Sequence, residues 1–412
     1  MRRRAFLSLA FSSFTAQAAT RPRYGGTIRV QLISMFASPE AIPGVAETLV
    51  RYDEHGEYVP LLARVWQADS EKKRWRFIIR SKIVSAASIA LTLGPVVKTW
   101  YGEAAAVTST PQTVVIQSDR PMYDILDRLS RPEAGIPGTG PFRVATFEAG
   151  HRAILSANED YPGGRPFVDT VEFSTSAQRA LQLNSEDIWE LPVGISRRLI
   201  PDGMRVWTSQ PLDLIALHLD NPEPGLRDAL SMSIDRAAIV NVLTQRRGEV
   251  AQGLLPQWLS GYEFLFGPAV DPARAKEAAA GLKSRTIFLT VPPTDPLARL
   301  IADRVMVNAR DAGLTMQIAP AGTNAPVQML HLRLDCADAA RALRDISGKT
   351  TLGDLSSPEA LYKAEHALLE EGRLIPLIHV PQVFGIGPRV RSGTGLPTCD
   401  LLNALPNLWI GQ

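Results

Sequence analysis

The sequence predicts an α/β protein large enough for two or three domains, and three observations carry that expectation. The 412 residues are 45% hydrophobic, enough to bury a sizeable core. Around Gly138-Thr139-Gly140-Pro141-Phe142-Arg143-Val144, glycine and proline punctuate strands of period-two alternation. Between Phe288 and Ile318 the pattern reads strand, helix, strand, the helix running from Pro296 to Ala312 and stopping at Gly313.

Phe142, Val144 and Thr146 alternate with Arg143 and Ala145 as a half-covered strand does. Glu148 to His151 makes a hairpin tip, and Arg152 to Ala157 returns. Tyr161-Pro162-Gly163-Gly164 is a second turn, and Val168 to Phe173 supplies another alternating strand. Asp53 to Gly56 turns between two short strands, and Trp75, Phe77 and Ile79 mark one more. Leu226 to Leu243 has Leu226, Leu230, Ile234 and Ile239 near helical spacing and predicts one amphipathic helix. Asp271 with Pro272 signals another helix start, and Ser357 to Glu371 a further helix.

The order GTGPF, hairpin, NEDYPGGRPFVDTVEF resembles the family 5 extracellular solute-binding proteins, the periplasmic peptide-, nickel- and sugar-binding subunits of ABC importers. Gly25-Gly26-Thr27-Ile28-Arg29-Val30 is similar to that family's opening strand, and Pro60 to Trp66 to its P-x-L-A-x-x-W segment. Leu226 to Val240 and Gly253-Leu254-Leu255-Pro256 resemble its later helix and G-L-L-P. The resemblance implies a two-lobed periplasmic binding protein fold (type II-like) with lobes joined by two crossing strands. The first lobe would comprise residues 19–256 and 374–412, and the second residues 257–373. After Arg80 the family's F-x-D-G motif is missing. Only Ser85 to Ile89 and a short link to Thr113 stand in its place, so the extra subdomain of the first lobe is expected to be trimmed.

The resemblance also implies capture of a peptide or similar small solute in an interlobe cleft, delivery to an ABC permease, no cofactor and a monomer. A degenerate paralogue acting as a sensory or scaffold module is the alternative. Ala337-Asp338 matches the family's A-D, whose Asp holds a peptide's ammonium group. Asp335 stands where the motif has an aromatic, and the following D-P is absent. Asp338 as the N-cap of a helix from Ala339 is the competing reading. Ser38, Pro39 and Glu40, after the first strand, correspond to a family ligand loop. His218, Asp220 and Asn221 at a strand end, and Trp258 beside the crossing, complete the candidate ligand set with Asp335 and Asp338.

Other chemistry finds no constellation. Ser347-Gly348-Lys349-Thr350 has Leu343 where a phosphate loop needs glycine, and Gly138-Thr139-Gly140 lacks a third glycine. His55, His151, His218, His331, His366 and His379 show no metal-ligand spacing, and no G-x-S-x-G occurs. An enzyme is therefore not expected. Cys336 and Cys399 are either paired or two separate thiols. No run reaches the ~18 to 20 apolar residues that cross a bilayer.

Met1-Arg2-Arg3-Arg4 and the apolar Ala5 to Phe11, followed by Ala16-Gln17-Ala18, read as a signal peptide over residues 1–18. The competing reading is an amphipathic N-terminal helix. Arg3-Arg4-Ala5-Phe6-Leu7 resembles a twin-arginine signal, and the apolar region suits the Sec route as well. Without residues 1–18 the chain holds 41 basic and 42 acidic residues, a balance that points to neither nucleic acid nor a membrane surface as partner. Export with cleavage after Ala18 is expected. N-terminal sequencing of periplasmic protein should begin at Ala19, and full-length protein retained in the cytoplasm would contradict it.

Overall fold

The computed structural model describes residues 21–53, 56–80, 83–175, 187–267, 270–320, 323, 325–335, 338–348, 352–353, 355–393 and 395–411. The expected signal segment, His55, Cys336, Ala337 and the Lys349-Thr350 pair lie outside them.

One strongly curled sheet runs through the molecule. Its strand order is Phe142–Glu148, Arg152–Ala157, Thr170–Thr175, Thr27–Leu32, Ile188–Leu191, Leu374–Ile386, Arg205–Leu219, Val327–Arg333, Thr286–Thr290 and Thr315–Ile318. The first five belong to one lobe and the last three to the other. The two long strands in the middle pair antiparallel with each other and serve both. The lobes are therefore continuous through backbone hydrogen bonds rather than separate sheets joined by a linker.

The first lobe's core gathers Ile28, Val30, Phe142, Leu155, Val171, Phe173 and Phe384. Its GTGPF turn is packed backbone to backbone: the Gly140 amide donates to the Val45 carbonyl and the Phe142 amide to the Gly44 carbonyl at 2.9 Å. Asn158, buried, closes the motif by donating from Nδ2 to the Gly140 carbonyl at 2.8 Å. The two halves of the sequence motif are thus one hydrogen-bonded corner.

The small subdomain has a core of its own. Strands Ala63–Ala68, Arg74–Ile79, Thr113–Gln117 and Ala106–Thr110 form an antiparallel sheet, with Phe77, Ile89, Leu93, Val97 and Ile116 buried together. The short link expected after Ile89 is in fact a 16-residue helix, Ala86–Tyr101, capped by Ser85 accepting from the Ser88 amide. Gly94-Pro95 hid it in the sequence. Pro95 is tolerated because it stands on the exposed outer face, while Ile89, Leu93 and Val97 face the sheet.

The second lobe packs Leu226, Ala229, Leu230 and Ile234 with Leu289, Ile301, Val305 and Val327. The strand that carries the chain into this lobe is Arg205–Leu219, well before Pro256, and the chain returns along Leu374–Ile386. The single helix expected from Leu226 to Leu243 is interrupted. Leu226–Ser233 ends at Ile234, whose backbone is extended, and Asp235 caps a new turn by accepting from the Ala238 amide at 2.9 Å. A wider π-type turn, Ile239–Leu243, follows. The expected helix starts at Asp271 and Ser357 are present, each side chain accepting from first-turn amides.

A Cβ on Gly140 would stand 2.2 Å from the Gly44 carbonyl oxygen. Gly140→Ala should therefore cost roughly 1–3 kcal/mol or more of stability, read as a lowered urea midpoint. Gly138→Ala is not a substitute control, because Gly138 has a φ of 75°.

Candidate functional site

The cleft between the lobes is floored where the long strand Arg205–Leu219 leaves the second lobe's core. Side chains on one face of that strand read Asp213, Ile215, Leu217 and Leu219. The last three are in the second lobe's core, and Asp213 is the position where that face emerges. The register of the neighbouring strand sets Arg333 opposite Asp213 and His331 opposite Ile215.

These residues form a connected charged cluster. Arg333 donates to Asp213 Oδ1 at 2.8 Å and to the Cys399 carbonyl at 2.5 Å. His331 places Nδ1 2.5 Å from Asp295 Oδ2 and Nε2 3.7 Å from Asp213 Oδ2. Asp295 also caps the Pro296–Asp311 helix, accepting from the Ala298 amide. From the first lobe, the Ile33 amide donates to Glu190 at 2.9 Å. Ser34 Oγ reaches across and donates to the Thr294 carbonyl at 3.1 Å.

Burial alone would favour neutral groups here, and the partners decide otherwise. Burial lowers the His331 pKa, but Asp213 and Asp295 on its two sides outweigh it and raise it to about 9. Burial raises Asp213 and Asp295, and the partners hold both below the usual carboxylate range: His331 for each, with Arg333 beside Asp213. Glu190 is raised, chiefly by burial.

A second network crosses from the small subdomain to the Ala339–Ser347 helix. Asp338 caps that helix, its Oδ1 accepting from Ala340 and Arg341 amides at 2.6 and 3.3 Å. Its other oxygen accepts from the Tyr52 hydroxyl of the small subdomain. Arg341, 5% exposed, lies over the Tyr52 ring at 4.5 Å and within ion-pair distance of Asp127 (3.0 Å) and Asp335 (3.4 Å). Arg131 joins Asp127 to Asp345.

The structure brings Asp335 and Asp338 into this network, with Asp338 both helix cap and acceptor from Tyr52. It does not bring the other candidates to either network. His218 lies five residues beyond Asp213, on the opposite face of the strand, with Gln328 and Leu374 as register neighbours. Asp220 and Asn221 are exposed beyond the strand's end. Trp258, 38% exposed, donates to the Pro211 carbonyl at 3.4 Å. Ser38, Pro39 and Glu40 lie in a turn packed on Pro132–Ala134. Asp213, Glu190, Asp295, Tyr52 and Arg341 were not singled out from the sequence. Asp213 had a visible signal, a lone carboxylate inside the apolar run Pro211 to Leu219.

Comparison with known proteins decides the family. The model of "Bacterial extracellular solute-binding proteins, family 5 Middle" matches residues 95–341, more than half of the chain. The chain belongs to that family.

Among family 5 relatives, the probable D,D-dipeptide-binding periplasmic protein DdpA of Escherichia coli is 25% identical over 250 residues, 49% of this chain and 48% of that protein. The nickel-binding periplasmic protein of Escherichia coli is 21% identical over 397 residues, 77% of this chain and 75% of that protein. The first relatives are matched over half of their length or less, 48% and 38%. In fold, the chain is similar to Helicobacter pylori DppA in complex with peptide STSA, with TM-score 0.78, 17% identity, and 95% and 99% of the two chains covered. Bacillus subtilis AppA in complex with a nonapeptide gives TM-score 0.76 at 14% identity, with 95% and 100% covered. Among the described residues, no group of three His, Cys, Asp or Glu is placed to hold a metal ion, and no helix is long and apolar enough to cross a membrane.

The pH dependence of the cluster follows from His331. Its folded pKa lies above the usual 6.5, so its contribution is complete below pH ~6.5 and is lost as pH rises through about 9. Stability should therefore fall by on the order of 2 kcal/mol across that window, and His331→Gln should flatten the fall. Urea unfolding at stepped pH measures both. A slope unchanged in the variant would contradict the assignment.

Proposed function

We propose that this chain is an extracytoplasmic solute-binding protein that captures a peptide or similar small solute between its lobes and delivers it to an ABC permease. The observation that carries the reading is that Asp338 faces a donor from the other side of the cleft. The Tyr52 hydroxyl occupies the place a ligand's ammonium would take. The relatives' peptide and nickel ligands and their periplasmic names support the same class of function, and no covalent chemistry is required. Family membership supports a permease partner and export, and the binding step needs only a monomer.

In this mechanism the solute enters with the lobes apart, and the long paired strands act as the hinge. An ammonium exchanging for Tyr52 at Asp338 would form a charge-assisted hydrogen bond in a desolvated setting. Arg333 and Arg341 offer cationic counterparts for a carboxylate or backbone carbonyl, while Glu190, Asp213 and Asp295 keep the floor acidic. Ser34 and Thr294 join the two lobes by one hydrogen bond, a contact that would break as the lobes part and so would report closure rather than ligand identity.

The test separates charge from fold. Asn caps helices about as well as Asp, so Asp338→Asn should preserve the Ala339–Ser347 helix. It should weaken dipeptide or tripeptide binding about ten- to a hundredfold, the effect of losing roughly 1.5 to 3 kcal/mol. Calorimetric titration of a small peptide library against both forms measures this. Equal affinity would return Asp338 to capping alone, and no binding to either form would favour a sensory or scaffold module.

A further inference from the structure

We propose that the second lobe carries a separate ligand site, a pocket for a small carboxylate with an apolar body, its acid group held by Arg236 and Arg227. The pocket has a volume of about 720 Å³ and is bounded by the Leu226–Ser233 helix, the start of the return strand and the segment around Phe266. That volume lies within the ~300–1,000 Å³ of small-molecule sites. None of its lining residues belongs to the two charged networks of the interlobe cleft.

Its polar end is two guanidiniums, Arg236 with no carboxylate partner among the described residues and Arg227 paired only at the surface. Arg236 is 6% exposed and donates only to the carbonyls of Pro376, Ser231 and Ile234 and the hydroxyl of Ser231. Among the described residues it forms no ion pair. Among the described residues, Arg227 pairs with Asp228 alone, at 3.3 Å on the surface, and its buried Nε has no hydrogen-bond partner. Burial, and then the neighbouring Arg227, lower the Arg236 pKa to about 10, so Arg236 stays cationic at neutral pH. The two acids of the lining are occupied elsewhere. Asp235 caps Ala238 and Glu370 lies 3.5 Å from His366.

A buried, uncompensated cation is costly unless an anion meets it. The rest of the pocket fixes what kind of anion. Phe266 and Tyr362, 5.2 Å apart between ring centroids, form one wall. Leu265 and Val270, 53% and 47% exposed, continue the apolar surface outward. A bare inorganic anion would leave that surface wet, and an apolar neutral molecule would leave the guanidiniums unmet. An aryl or branched aliphatic carboxylate satisfies both, accepting charge-assisted hydrogen bonds from the guanidinium N–H groups that Arg236 and Arg227 leave free.

The experiment titrates the full chain by calorimetry with 3-phenylpropionate, with 3-phenylpropionamide and with inorganic phosphate. Saturable binding of the acid is expected, with the amide and phosphate each weaker by about tenfold or more. Arg236 holds three carbonyls of the fold, so its removal risks unfolding, and Arg227→Gln is the informative variant. It should weaken the acid by about tenfold while leaving the thermal midpoint and cleft peptide binding unchanged, and Asp338→Asn should leave the acid's affinity untouched. Equal binding of acid and amide, phosphate binding as tightly as the acid, indifference to Arg227→Gln, or no saturable binding would each overturn the proposal. None of these outcomes bears on the interlobe cleft.

Discussion

The antiparallel pairing of Arg205–Leu219 with Leu374–Ile386 is the constraint on which the rest depends. Every other strand of the large sheet is hydrogen-bonded, directly or in turn, to one side of this pair. Alternation then assigns each residue of the outgoing strand to a surface. Ile215, Leu217 and Leu219 enter the second lobe's core, and Leu212, Leu214 and Ala216 enter the layer that contains Leu254, Phe266 and Leu343. The ladder is irregular around Pro211, which faces Pro381. Neither proline has an amide hydrogen to donate, so the crossing is least tightly bonded where bending would be needed.

The same alternation explains why a polar cleft can exist beside an apolar core. Asp213 is 7% exposed, and a carboxylate so placed is stable only with cations and donors fixed around it. The antiparallel pairing with the neighbouring strand Val327–Arg333 supplies two of them, two residues apart, as His331 and Arg333. Asp295 arrives from a helix cap, so its carboxylate is already oriented before it meets His331.

The parts of this arrangement that depend on local signals were legible in the sequence. The GTGPF corner, the hairpin, the Asp271 and Ser357 caps and the Asp338 cap all follow from neighbours within a few residues. Three things were not. The Ala86–Tyr101 helix carries Gly94-Pro95, and only its burial pattern shows that the proline is on the outer face. The break at Ile234 is set by Asp235 and by Arg236 turning inward to Pro376, 140 residues away. The cleft cluster is a matter of register between distant strands: His218 and Asp213 look equivalent in the sequence, but their separation of five puts them on opposite faces. Trp258, in the short helix Gln257–Ser260, directs its indole to the Pro211 carbonyl, a contact 47 residues distant that no local pattern shows.

The contacts that span the cleft bear on what drives closure. Tyr52, Asp127 and Arg131 project from one edge of the small subdomain, and Asp338, Arg341 and Asp345 meet them from one helix of the second lobe. Arg341 is nearly enclosed, and its Nε and Asp127 Oδ1, although 3.0 Å apart, are not aligned for a hydrogen bond. Ion pairs removed from water in this way roughly break even against the loss of hydration. They fix which closed arrangement forms far more than they strengthen it. The Ser34 to Thr294 bond is a single neutral contact, whose net worth is about 1 kcal/mol. With the cross-cleft contacts so nearly balanced, the free energy that favours the closed state has to come from a ligand that binds it better than the open one. On the proposed reading, Asp338, already held in place by its helix and facing a hydroxyl, is the position where an added positive charge would change the balance most.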